Sequence, residues 1–157
     1  MPSKTPTSSA AAPLEAHLGF WLRFVSNHVS QRFQQLLEDR GVTVTEWVAL
    51  RTLLDQGHSS HAALIQALGM TKGAASKVIS RLEDKGLAER QLVEGRAREQ
   101  ALVLTPAGKA LVPQLARMAD ANDAHFFGHL SEAKRVQLMA LMQGIVKQHG
   151  LKTLPTA

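Results

Sequence analysis

Residues 64–90 read LIQALGMTKGAASKVISRLEDKGLAER, and residues 104–108 read LTPAG. Two apolar patterns at helical spacing lie in the first stretch. Leu64, Ala67 and Leu68 run up to Gly69, and Ala75, Val78, Ile79 and Leu82 run up to Lys85-Gly86. The second set falls at i, i+3, i+4 and i+7, which is one face of an α-helix, and Thr71 stands where an N-cap hydroxyl is needed. After Gly86 the character changes. Residues 87–93 and 101–104 are β-compatible and flank the charged, Gly-containing stretch 94–99, so they read as a hairpin. Thr105-Pro106 then supplies the N-cap and first-turn proline of another helix. Helix, tight turn, helix, hairpin is the order of a winged helix-turn-helix. In that arrangement the first helix braces the second, whose exposed face can enter the major groove of duplex DNA.

The second helix carries a face suited to that task. At about 100° per residue, Lys72, Gly73, Ser76, Lys77, Ser80 and Asp84 lie opposite the apolar set, with Thr71 at the cap and Arg81 at the edge. Small polar and cationic side chains match base edges and phosphates. Gly73 costs roughly 1 kcal/mol of helix stability against Ala, but its missing side chain permits close backbone approach to a duplex. The hairpin tip holds Arg96 and Arg98, and a guanidinium on a β-ribbon fits a narrow minor groove. From 71 to 98 there are seven basic residues against four acidic, whereas 14–55 has four against five and 105–157 six against three. A plain solvated helix face, or a winged-helix surface that meets protein, is the competing reading.

Outward from this core, residues 1–13 are rich in Ser, Thr, Pro and Ala and are expected to form a disordered arm. Residues 14–40 lack an interior proline and place Leu14, Leu18, Trp21, Val25, Val29, Phe33 and Leu36 at steps of three or four, predicting one long helix. Phe20, Leu22, Phe24 and Leu37 lie off that stripe. The surplus apolar surface argues for a homodimer interface, with burial inside one monomer as the alternative. Gly41 ends this helix, Thr45 is the expected N-cap of the next, and Ser59 or Ser60 starts the third. Pro113 is expected to kink the helix that starts at Thr105, and Ser131 opens a last helix running to Gly150, before a flexible tail 151–157. The division expected is a helical dimerisation region, 14–41 with 105–150, and a DNA-binding lobe, 45–104. The fold class is mainly α with a small β-hairpin wing.

Composition sets outer bounds. A chain of 157 residues with 45% apolar and 20% charged residues is ordinary globular sequence of single-domain length. It has no cysteine, which removes disulfides, thiolate metal sites and cysteine redox switches. The longest apolar run, 18–22, falls far short of the roughly 18 residues that span a bilayer, and the N-terminus lacks an apolar signal core, so a cytoplasmic protein with no membrane partner is expected. The net charge of +5 favours a polyanionic partner.

The run 64–90, with Leu-Glu-x-Lys-Gly-Leu at 82–87 and Leu-Thr-x-x-Gly at 104–108, resembles the MarR family of bacterial transcriptional regulators. The likeness extends to Gly41-Val42-Thr43-Val44-Thr45-Glu46-Trp47 and to Phe127-x-x-Leu130-Ser131, so it covers nearly the whole chain. The resemblance implies a homodimer, joined through its first and last two helices, whose two winged lobes bind a pseudo-palindromic operator. It implies that Ser76 and Lys77 contact bases or phosphates and that Arg98 is the wing arginine. One departure stands out, because the family pattern has Asp two residues before that arginine and here the residue is Arg96.

The resemblance further implies a small aromatic acid effector bound where the dimerisation helices meet the DNA lobe. Phe20, Phe24, His28, Trp47 and Met118 are the candidate lining, with Arg23 as carboxylate partner. A constitutive DNA binder without effector shares every other feature. His125 and His129 are four apart, but the residues between them do not repeat a zinc motif. His58 and His61 flank Ser59-Ser60 in a turn and suggest no chemistry. No nucleophile with base and orienter, paired carboxylates or phosphate-cradling Gly loop is present, so neither catalysis, cofactor nor metal is expected.

Overall fold

The computed structural model describes residues 11–92, 100–152 and 155. The wing tip with Arg96 and Arg98, and residues 1–10 of the expected arm, lie outside the described residues. A 3-10 turn, Leu14–Ala16, precedes α1 (Leu18–Glu38). There follow α2 (Val44–Gln56), β1 (Ser59–Ser60), α3 (His61–Leu68), α4 (Lys72–Asp84), β2 (Ala88–Leu92), β3 (Gln100–Leu104), α5 (Pro106–Phe127) and α6 (Glu132–His149). The fold is a winged helix-turn-helix carried on longer helices, as the sequence predicts.

Several boundaries differ from expectation for local reasons. The first helix does not run unbroken from Leu14, because His17 is extended at φ −100°, ψ 128°. Trp21 Nε1 donates to Glu15 O at 2.8 Å, taking a carbonyl that a continuous helix would give to the Gly19 N–H. The N-cap of α2 is Thr43, not Thr45. Glu46 N donates to Thr43 Oγ1 at 3.1 Å and Thr43 N donates to Glu46 Oε2 at 3.2 Å, a reciprocal capping box. Pro113 sits within α5, which continues through it to Phe127. Ser60 caps α3, accepting from Ala63 N at 3.1 Å, and the sixth helix opens at Ser131 and closes on left-handed Gly150 as read.

The sheet has an unpredicted third strand. β3 lies between β1 and β2, both antiparallel to it, with Arg90 opposite Leu102 on one side and Ser59 opposite Leu102 on the other. β1 pairs only Ser59 and Ser60, too short for any periodicity. What places it is the open edge of β3, whose backbone groups need partners.

One apolar core joins most elements. Leu37, Val42, Leu50 and Leu53 pack with Leu64 and Leu68 of α3, Val78, Ile79 and Leu82 of α4, Leu102 and Leu104 of β3, and Val112 and Leu115 of α5. In α1 only Leu37, from off the predicted stripe, is fully buried; Leu18 is 89% exposed and Trp21, Leu22 and Val25 are also open. No residue of α6 is buried. Polar groups latch α1 to α5: Asn122 Nδ2 donates to Val29 O and Arg32 Nη1 donates to Asn122 Oδ1, each at 3.1 Å. A second latch runs from Arg40 Nη1 to Gln114 Oε1 at 2.6 Å.

The junction after α4 is set by one glycine torsion and two hydrogen bonds. Gly86 adopts φ +67°, Thr105 Oγ1 donates to Gly86 O at 2.6 Å, and Thr105 N donates to Leu87 O at 3.1 Å. The same Thr105 hydroxyl accepts from Gly108 N at 3.1 Å, capping α5. A Cβ at Gly108 would overlap the Leu87 carbonyl and press on Leu104, so the first turn of α5 can reach the junction only without a side chain there. Gly108→Ala is therefore expected to destabilise by about 2–3 kcal/mol despite Ala's higher helix propensity. Gly73→Ala, where nothing lies within 4 Å, should be neutral or stabilising by up to about 1 kcal/mol. Thermal midpoints at fixed protein concentration measure both, and equal effects would contradict this packing.

Candidate nucleic-acid interface

The helix pair is joined by a three-residue turn, Gly69-Met70-Thr71. Gly69 ends α3 in the left-handed region at φ +63°, which favours glycine, and Thr71 Oγ1 accepts from Ala74 N at 3.2 Å to start α4. Ala75, Val78, Ile79 and Leu82 are buried, which turns the opposite side of α4 outward. Thr71, Lys72, Gly73, Lys77, Ser80 and Arg81 are exposed, as the sequence reading requires of them.

The cations around α4 divide into two groups. Lys85 Nζ is 2.7 Å from Glu46 Oε2 and also donates to Gly41 O at 2.7 Å, tying the C-terminal end of α4 to the start of α2. Arg90 Nε donates to Glu83 Oε1 at 2.9 Å, tying β2 to α4. Lys72, Lys77 and Arg81 make no ion pair among the described residues. Of the basic residues that looked equivalent in sequence, two are fastened into the scaffold and three project from one helix face.

Ser76 differs from its neighbours. It lies on the flank of α4 that faces α3, is half-buried, and sits 3.3 Å from His61 Nε2. Sequence gives no sign of this role for His61, because a contact across fifteen residues has no local signal. It also lines a small cavity of about 240 Å3 with Arg90, Gln100 and Leu102, at the meeting of α3 and the sheet.

The six residues read as an effector pocket do not converge within the chain. Phe20, Phe24 and His28 form a ladder along α1, with ring centroids 6.1 and 4.8 Å apart in succession, and Arg23 is exposed. Trp47 instead stands edge-on to Phe33 at 6.4 Å, and Met118 packs on the apolar core. Trp47 and Phe33 line a cavity of about 520 Å3 between α1 and α2, with Thr43, Val44, Val48 and Glu38 among its other walls. His125 is on α5 and His129 lies past its end. No cluster of three or more His, Cys, Asp or Glu able to hold a metal occurs among the described residues.

Comparison with known proteins bears on this geometry. Residues 40–99 match the model of the MarR family. The HTH-type transcriptional repressor NicR of Pseudomonas putida is 26% identical over 145 residues, covering 92% of each chain. A solved structure of Bordetella bronchiseptica BpsR, whose DNA binding is regulated by 6-hydroxynicotinic acid, superposes with a TM-score of 0.73 at 27% identity, covering 86% of this chain and 96% of that one. A mutant MarR from E. coli complexed with operator DNA shares the fold at a TM-score of 0.71 and 19% identity, covering 82% and 93%.

Proposed function

We propose that the chain is a homodimeric transcriptional repressor of the MarR family, supported by the match over residues 40–99 and the likeness to NicR and BpsR, and that it reads a pseudo-palindromic operator and releases it when a small aromatic acid binds. The carrying observation is the division of α4 into a buried apolar face and an outward face whose cations Lys72, Lys77 and Arg81 make no ion pair among the described residues. In this reading Thr71, Gly73, Ser76 and Ser80 approach bases and backbone in the major groove. Arg96 and Arg98 reach the adjacent minor groove from the wing. Two such helices must stand about 34–36 Å apart to enter successive major grooves.

The homodimer rests on apolar surface the monomer leaves open. Along α6, Leu138, Leu141, Met142 and Ile145 recur at helical spacing and all are exposed, Leu141 by 61%. Leu18, Trp21, Leu22 and Val25 extend the same exposure along α1. An isolated helix gains little from propensity alone, so α6 needs a surface to bury these side chains. A second copy supplies it in the division read from sequence, with 14–41 and 105–150 as the dimer platform and 45–104 as the lobe it carries.

The effector reading rests on the cavity between α1 and α2. It is lined on one side by α1 and on the other by Thr43, which caps the helix whose Glu46 holds Lys85 at the end of α4. A ligand wedged there changes the setting of the lobe on the platform and so the separation of the two reading helices. The relative BpsR, regulated by 6-hydroxynicotinic acid, supplies the first probe. The ladder of Phe20, Phe24 and His28, with Arg23 and Met118, belongs to this site only if the partner copy brings it alongside.

Three outcomes follow. Fluorescence anisotropy against the duplex upstream of its own gene, beside a scrambled duplex, should show selective binding with a steep log–log salt dependence. Lys77→Ala and Arg98→Ala should each weaken it and lower the slope by about one; wild-type binding by both at low salt would refute the site. Sedimentation equilibrium should give twice the monomer mass, shifting towards monomer in Leu141→Glu/Ile145→Glu. Titration with 6-hydroxynicotinic acid or benzoate should release the operator and change tryptophan emission in Trp21→Phe but not in Trp47→Phe; a response that survives in Trp47→Phe places the effector elsewhere.

A further inference from the structure

The geometry points to His61 as a specificity-positioning residue that fixes how the Ser76 hydroxyl presents itself to a base edge. The inference rests on the recognition-helix reading above and goes beyond it, since His61 is on α3 and not on the reading face.

The contact is built from two sides. Ser60, the residue before His61, pairs with Ala101 of β3 and caps α3 through its hydroxyl, so the backbone at His61 is held by both sheet and helix. On the other side, burial of Ala75 and Ile79 fixes the rotation of α4 and sets Ser76 on the flank facing α3. The two meet at 3.3 Å, Nε2 to Oγ. Lys72 is one turn before Ser76 on the same flank, and Lys77 is next to it. Arg90, which lines the cavity beside His61, has its guanidinium engaged by Glu83.

The chemistry follows from what a hydroxyl can do. A free serine offers one O–H donor and two lone pairs and rotates to suit whichever base faces it, so alone it discriminates poorly. Bound to His61, it loses that freedom. If Nε2 carries the proton, the imidazole donates to Oγ and the Ser76 hydrogen points outward, matching acceptors such as guanine O6 and N7 or thymine O4. If Nε2 is bare, the Ser76 hydrogen is spent on the imidazole and only a lone pair faces outward, matching the amino groups of adenine N6 or cytosine N4. In the first state one lone pair is occupied and the hydroxyl's rotation is narrowed, with the hydrogen and one lone pair left outward; in the second the outward group is an acceptor only.

The test is selection from a duplex library with every operator position varied. Wild type is compared with His61→Phe, His61→Ala, His61→Gln, Ser76→Ala and His61→Phe/Ser76→Ala, with circular dichroism melts confirming that each is folded. His61→Phe, His61→Ala and Ser76→Ala should each lose about five- to tenfold discrimination at one and the same base pair. The double variant should lose no more than either single. His61→Gln, which keeps a polar atom within reach of Oγ, should retain most of the preference, and affinity for scrambled duplex should stay within about twofold throughout. A purely structural His61 would instead lower affinity for all sequences alike, and that result overturns the inference. So does an unchanged preference in both His61→Phe and His61→Ala beside a changed one in Ser76→Ala. If Ser76→Ala and Lys77→Ala leave every position unaltered, the recognition-helix reading falls and the inference falls with it.

Discussion

The Leu87 carbonyl accepts from the Thr105 N–H at 3.1 Å, and around that bond α4, the sheet and α5 are joined. Gly86 turns the chain out of α4, Thr105 closes the wing and opens α5, and Gly108 lets the first turn of α5 sit against Leu87. The two short motifs, Leu-Glu-x-Lys-Gly-Leu and Leu-Thr-x-x-Gly, are the two halves of this one junction. Each half is incomplete alone: the glycines provide space and the threonine provides a donor and an acceptor. Because the wing and α4 leave from the same point, their relative orientation is set by hydrogen bonds and close packing, not by linker length.

A second fastening starts at the residue just before Gly86. Glu46 is 1% exposed, and Lys85 and the Thr43 N–H bond its Oε2 while Oε1 has no partner among the described residues. A carboxylate so placed is tolerated only because the lysine compensates it; an unpaired buried charge costs about 3–5 kcal/mol. The pair spans α2 and the end of α4, and Lys85 also reaches the Gly41 carbonyl after α1. Lys85 is thus spent on the scaffold, and so is Arg90 through Glu83. On α4 itself, Lys72, Lys77 and Arg81 are exposed and make no ion pair among the described residues. The packed lobe and the open helices also contrast sharply: one half of the chain satisfies its apolar surface internally, and α6 with the first turns of α1 does not.

Much of this was legible in sequence. Apolar spacing, cap residues and punctuating glycines are local signals, and they determined α3, α4, the hairpin, the Thr105 start of α5 and the Ser131 start of α6. The same local physics located the outward face of α4, since burying Ala75, Val78, Ile79 and Leu82 leaves no other side to expose. Where local rules offered two choices they failed, as with Thr45 for Thr43, because only the reciprocal bond to Glu46 separates two threonines two residues apart. The unbroken first helix failed for a related reason: the Trp21 indole competes for a backbone carbonyl.

Other features exist only because distant segments meet. Strand β1 has two residues and owes its pairing to the edge of β3. Leu37 became the buried residue of α1 because the core approaches from its side, although the apolar stripe lay elsewhere. Which cations are free and which are fastened depends on Glu46 and Glu83 arriving from other elements, and His61 meets Ser76 through the sheet that anchors it. The sequence by itself determined the main helices and the hairpin, the order of a winged helix-turn-helix and the apolar and polar sides of α4, since these follow from spacing within a dozen residues. Tertiary structure alone decided partnership, because hydrogen bonds and ion pairs form between groups within about 3 Å in space, whatever their separation along the chain.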